Sequence, residues 1–239
     1  MSSTLFQPVS IARGPRYREV AYAAIRAAIL AGRFGVNEPL IEEQIAALLA
    51  ISRTPVREAL AILEHEGLIG QRNGRGLYIC TVTRAAFVDM FVANETVEPF
   101  LVRRAAMAAS AEHLVALVAA LDCAEIAADA GESVTFLAAS RDFHRLVGEA
   151  SGNATLTQLV VRNEERTDMH LIASGVALNA ANMRASNREH GAILQAIRAR
   201  DTEAAARLTI YHAQSLRDRF AALFAPEQEG ADDAIFGGR

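Results

Sequence analysis

The chain has 239 residues, 51% hydrophobic and 22% charged, with a formal net charge of −4. That composition excludes a disordered chain, and the length suits two domains better than one core. No run approaches the roughly 20 apolar residues of a membrane span and no long apolar leader opens the chain, so a cytoplasmic protein without membrane contact is expected.

The cations are all arginine, with no lysine. Residues 1–80 carry 9 Arg and 7 Glu, a net of +2, and the remainder carries a net of −6. A slightly basic front on an acidic back does not exclude nucleic acid, because the local placement of arginines decides contact. Cys80 and Cys123 lack metal-type spacing and read as free thiols.

Residues 1–15, with Pro8, Gly14 and Pro15, read as a flexible arm. A first helix is expected over 16–31, with Val20, Ala24, Ile25, Ala28 and Ile29 facing inward and Gly32 ending it. After a loop from Arg33 to Pro39, a second helix is expected from about Ile41 to Ala50, with Ile45, Leu48 and Leu49 as its core face. Ala50-Ile51-Ser52-Arg53 is the turn into a third helix. There Thr54 serves as N-cap and Pro55 takes the first helical position, where its missing N–H costs nothing. Val56, Leu60 and Leu63 form one buried stripe, and Gly67 supplies the stop. Arg53 and Arg57 lie off that stripe, at the N-terminal end. The major groove of DNA admits a helix, and arginine pairs bidentately with guanine there. A solvated helix with ordinary surface arginines also accounts for this stretch taken alone.

Two short helices and a tight turn make a helix-turn-helix. Leu68–Gln71 and Leu77–Val82 are short β-prone runs around Arg72-Asn73-Gly74-Arg75-Gly76, and Asn-Gly between them signals a hairpin. A hairpin with a basic tip after a helix-turn-helix is a wing, suited to an adjacent groove or to phosphates.

From Thr83 onward the periodicity is helical throughout. Breaks at Ser110, Gly131-Glu132-Ser133, Ser151-Gly152-Asn153, Ser174-Gly175 and Asp201-Thr202 give helices near 84–109, 111–130, 134–150, 155–173, 179–199 and 202–223. The expected fold is mainly α. A winged helix-turn-helix at 16–82 precedes an antiparallel six-helix bundle at 83–224, and 225–239 is a disordered tail.

At this point the chain resembles the GntR family of bacterial transcription regulators, in its FadR-like subfamily with an all-helical FCD effector domain. The residues that carry the resemblance begin with Ile25–Gly32, Ser52-Arg53-Thr54-Pro55-Val56-Arg57-Glu58-Ala59-Leu60, Leu63, Glu66-Gly67-Leu68 and Gly74-Arg75-Gly76. In the second half they are Phe143-His144-Arg145, Ser151-Gly152-Asn153, Glu189-His190, Ile193, Ala196-Ile197 and His212.

The resemblance implies DNA contacts by Arg53, Thr54 and Arg57 in the recognition helix and by Asn73, Gly74 and Arg75 in the wing, with Ser52 on phosphate. Glu43 stands where many relatives carry Arg, and its charge repels phosphate. Ala50 stands where the turn usually has Gly, which suggests a slightly different turn. The resemblance also implies a divalent metal held by His144, His190 and His212, with zinc or nickel expected. Ser140 occupies the position, four before His144, where relatives supply an acid. Asp142 lies about 200° around the helix and faces elsewhere. Three imidazoles leave positions open for water or an effector carboxylate. Arg162 and Arg166 are candidates to hold that carboxylate, and a solvated face or an ion pair accounts for them equally well.

The expectation is therefore a homodimeric, ligand-responsive repressor. It binds double-stranded operator DNA, and its affinity changes when a small organic acid binds beside the metal and Ser140. The alternative is a metal-dependent enzyme using the three histidines. That would need a base or nucleophile beside the metal, and no His-Glu-x-x-His run or Ser-centred nucleophile elbow occurs in the sequence.

Overall fold

The computed structural model describes residues 17–173 and 178–221. The expected arm at 1–15, the break at Ser174-Gly175 and the tail at 225–239 lie outside the described residues. Among those described, the N-terminal part is α1 (Tyr17–Leu30), α2 (Glu42–Leu49), α3 (Arg53–His65), β1 (Ile69–Arg72) and β2 (Arg75–Ile79). The bundle follows as α4 (Arg84–Ala108), α5 (Ala111–Ala130), α6 (Ser133–Ser151), α7 (Ala154–Ala173), α8 (Ala180–Arg198) and α9 (Thr202–Ala221). A mainly α chain with an N-terminal winged helix-turn-helix and a helical second half is what the sequence pattern predicts. Among the described residues no helix is long and apolar enough to cross a membrane.

The first core gathers Ala21, Ile25 and Ile29 of α1, Ile45 and Ala46 of α2, and Val56, Ala59, Leu60 and Leu63 of α3. Of the expected core residues, Ala24 and Ala28 are only half-buried and two others are exposed. Val20 is 55% exposed and Leu48 is 84% exposed. At 100° per residue, Ala21, Ile25 and Ile29 define a face that Val20 misses by about 140°. Ile45, Ala46 and Leu49 likewise define a face that Leu48 misses by about 100°.

Helix α3 begins one residue before the expected cap. Ser52 is the N-cap, without a side-chain cap bond, so Arg53 and Thr54 are already helical and Pro55 is the third helical residue. Its missing N–H still falls among the four that a helix start leaves unpaired. Ala50 takes φ 53° and ψ 39°, the left-handed conformation that a glycine would take. The turn keeps that geometry with a residue that adopts it at a cost, rather than changing shape.

The hairpin forms as expected. Asn73 (φ 51°) and Gly74 (φ 67°) are both left-handed, as a two-residue turn matched to strand twist requires. Ile69 pairs with Ile79 and Gln71 with Leu77 before the register shifts at Arg72. Arg72 does not reach outward. It donates to Asn37 Oδ1 at 2.9 Å and to the Val36 carbonyl at 2.8 Å, and its guanidinium covers the Tyr78 ring at 4.7 Å.

In the bundle, α4 packs on α6, α7 and α9, and α5 on α6 and α8. Thr83 caps α4 by accepting from the Ala86 N–H at 3.1 Å, so the wing feeds almost directly into the bundle. Small residues set close approaches. A methyl at Gly148 would stand 2.5 Å from Thr157, which keeps α6 and α7 in contact.

Helix α7 serves both halves of the chain. Met169 is 1% exposed and packs into the N-terminal core. Glu165 forms an ion pair with Arg26 of α1, and a methyl at Gly32 would stand 2.7 Å from Ile172. The other side of α7 presents Glu164, Thr167, Asp168 and Leu171 to the bundle interior.

Candidate DNA-reading face and metal centre

The amphipathic pattern of α3 buries Val56 and Leu60 and turns Ser52, Arg53, Thr54 and Arg57 to solvent on one face. The two arginines are not bare. Arg57 Nε lies 3.1 and 3.2 Å from the two carboxylate oxygens of Glu42, and its Nη2 lies 3.1 Å from one of them. Arg53 Nη1 lies 2.6 Å from Glu43 Oε1, and its Nη2 is 3.8 Å from Glu42. The bond to Arg57 holds the Glu42 carboxyl below its usual range and raises Arg57 further. Glu43, singled out in the sequence as a repeller of phosphate, is thus also the partner of Arg53. At the wing tip Asn73, Gly74 and Arg75 are exposed, and Arg75 has no partner among the described residues.

The three histidines predicted as ligands come together. His144 on α6, His190 on α8 and His212 on α9 are each buried, and one ligand atom from each lies within 4.8 Å of the others. His190 Nε2 stands 3.2 Å from His144 Nε2 and 2.9 Å from His212 Nε2. Two nitrogens bound about 2.0–2.1 Å from one cation lie about 2.9 Å apart at a right angle and about 3.3 Å at the tetrahedral angle.

The outer nitrogens are anchored. His144 Nδ1 donates to Glu98 Oε2 at 2.9 Å, and His212 Nδ1 donates to Glu189 Oε2 at 2.7 Å. Arg219 and Ser215 hold Glu189 in turn. A carboxylate behind each of these two imidazoles orients its ring and turns its Nε2 inward, as the partners of metal-bound histidines do. His190 lies against Phe143, ring centroids 4.5 Å apart, and its Nδ1 is buried without a partner. The donor set fits a first-row divalent cation.

Charge in the chamber is lopsided. Burial disfavours the charged form of His144, but Glu98 and Glu164 outweigh it and its pKa rises from 6.5 to about 9. Burial pushes His190 well below its usual value and lowers His212. Glu164 and Asp168 are both pushed up by burial, although Asp168 forms an ion pair with Arg141.

Ser140 is buried and opens on a small cavity of about 20 Å³ with Glu164, Asp168, Ser186, Leu216 and Arg219. Ser140, Ser186 and Leu216 each stand four residues from a ligand histidine on the same helix, so this cavity lies one turn from the histidines. Asp142 faces away and pairs with Arg145, as its position around the helix predicts. Arg162 and Arg166 are not in this chamber. They stand one turn apart on the opposite side of α7 and line the cleft against the N-terminal domain. Helical phase separates them from Glu164 and Asp168; Arg219 lines the cavity instead, and Arg141 pairs with Asp168. Glu42, Glu98 and Asp168 had no role assigned from the sequence. Glu189 stands next to His190 in the chain, but nothing there marks it as the partner of His212.

Residues 17–79 match the family described as bacterial regulatory proteins, gntR family, and residues 89–215 match the FCD domain. The Uxu operon transcriptional regulator of Escherichia coli (strain K12) is 26% identical, over 93% of this chain and 91% of its own. The HTH-type transcriptional repressor NanR of Cronobacter sakazakii is 28% identical, over 77% of each chain. Among solved structures, E. coli McbR/YncC superposes with a TM-score of 0.77 at 18% identity, over 87% of this chain and 99% of that one.

Proposed function

The chain belongs to the GntR family of bacterial regulatory proteins and carries an FCD domain, and from that premise we propose a homodimeric repressor whose grip on operator DNA is set by a small organic acid. As a DNA-binding transcriptional regulator it is not an enzyme, so the three histidines are not read as a catalytic centre. Arg53, Thr54 and Arg57 enter the major groove, Ser52 meets phosphate, and Asn73, Gly74 and Arg75 reach the neighbouring groove or backbone. One short helix and a wing read few base pairs, so two copies on a two-fold site are expected. Val92, Phe100 and Met107, exposed on one face of α4, support an apolar surface for a second copy. The protein works in the cytoplasm, where its operator is.

The observation that carries the reading is the convergence of three histidines one turn from a small cavity. His144, His190 and His212 would hold zinc or nickel. A divalent cation there supplies positive charge and open positions for oxygen donors. Ser140, in place of an acid, adds no compensating negative charge. A cavity of about 20 Å³ takes about one water, so an organic acid enters by parting α6, α7 and α9. That demand makes binding favour one arrangement of the bundle over another. Arg141 and Arg219 are the cations placed to meet the acid. A panel of small carboxylates, assayed for thermal shift and operator release with and without chelator, tests this. A neutral sugar acting equally well with chelator present would overturn it.

A further inference from the structure

A cleft of about 810 Å³ separates α1 and the end of α3 from the first turns of α7, a volume in the range of small-molecule sites. It shares no lining residue with the cavity beside Ser140. The carboxylates that face it are already engaged. Glu66 accepts from the Tyr22 hydroxyl at 2.8 Å, Glu149 pairs with Arg145 at 2.6 Å, and Glu165 pairs with Arg26.

Two cations are left over. Arg162 and Arg166 lie one turn apart on α7, a spacing that puts their side chains side by side. Neither has a carboxylate partner among the described residues. The Nε atoms of Arg166 and Arg26 are buried without an acceptor, one from each wall of the cleft. Buried donors with no acceptor are unfavourable, and guanidinium forks suit planar oxyanions.

We propose that this cleft is a second ligand site, taking a small molecule with two oxyanion groups, carboxylate or phosphate, across Arg162 and Arg166. The ligand touches both domains and satisfies a donor from each. It therefore stabilises the arrangement in which α1 and α3 rest against α7, and its binding uses no residue of the histidine centre.

The test is calorimetric titration of the full-length protein with succinate and, separately, pyrophosphate, at ionic strength held constant with sodium chloride. Saturable binding of at least one probe is expected, and which one binds names the oxyanion class. Arg162→Gln/Arg166→Gln should weaken it by about tenfold or more, and His190→Ala should leave it unchanged. Arg162 is exposed, so Arg162→Gln alone keeps the comparison available if the double variant misfolds. Binding of neither probe at millimolar concentration overturns the proposal. So does an affinity that the arginine substitutions leave unchanged, or one that His190→Ala abolishes.

Discussion

Glu42 grips the inner edge of the Arg57 guanidinium, taking Nε and Nη2 and leaving Nη1 without a Glu42 bond. The acid belongs to α2 and the base to α3, so the pair spans the helix-turn-helix and fixes the direction of the Arg57 side chain.

Glu42→Gln should therefore lower discrimination while raising binding to random duplex, because a positioning contact and a negative charge leave together. Arg57→Ala should lower operator affinity by about tenfold to a hundredfold and relax base preference. Gel-shift titrations against operator and scrambled duplex at two salt concentrations measure both. Unchanged discrimination in Glu42→Gln would remove the positioning role.

Ala50→Gly should stabilise the protein by about 0.5–1 kcal/mol. The left-handed strain at φ 53° disappears, partly offset by the greater freedom of glycine in the unfolded chain. A rise of about 1–4 °C in melting temperature is the readout. A fall would mean that the alanine methyl makes a packing contact worth more than the strain.

Metal should stabilise the folded chain. At a free zinc concentration about 100 times the dissociation constant, the gain is about 2.7 kcal/mol. His144→Ala, His190→Ala and His212→Ala should each abolish that gain. Ser140→Asp should tighten metal binding but lower the metal-free melting temperature, because it adds a carboxylate beside Glu164 and Asp168. Scans with and without chelator, paired with elemental analysis, decide. Equal metal content in wild type and His190→Ala would sink the assignment.

His170 provides a pH test at the join of the two halves. Its Nδ1 accepts from the Val82 N–H at 3.4 Å, and burial lowers its pKa from 6.5. The folded state thus binds this proton less readily than the unfolded state. The contribution is present in full above about 6.5 and is lost as pH falls from there through the folded value. His170→Asn keeps an acceptor and does not titrate. It should flatten the decline in stability as pH falls below about 6.5, measured by urea melts. An unchanged slope would show that other groups carry it.

Most of the fold was legible because apolar residues at 3.6-residue spacing mark a helix wherever they occur, and Asn73-Gly74 marks its hairpin. Val20 and Leu48 were misplaced because hydrophobicity alone does not fix the centre of a narrow stripe. The histidines were legible through resemblance, and their carboxylates were not. Glu98 lies 46 residues from His144, and nothing local distinguishes it from the other acids of a long helix. Met169 lies within the bundle helix expected at 155–173 and packs into the other domain, because periodicity gives a face but not the identity of what it meets.

Helix α7 is a shaft with two loads. Glu164 and Asp168 sit on the side of the histidine chamber, while Glu165, Met169 and Ile172 sit on the side of α1. A rigid helix cannot roll on one side alone. At a side-chain radius of about 5 Å, a roll of about 20° carries atoms on both faces through about 2 Å. Whatever pries α6 from α7 at Ser140 is thus geared to the seat of the reading head, and no contact between the two sites is needed to transmit it.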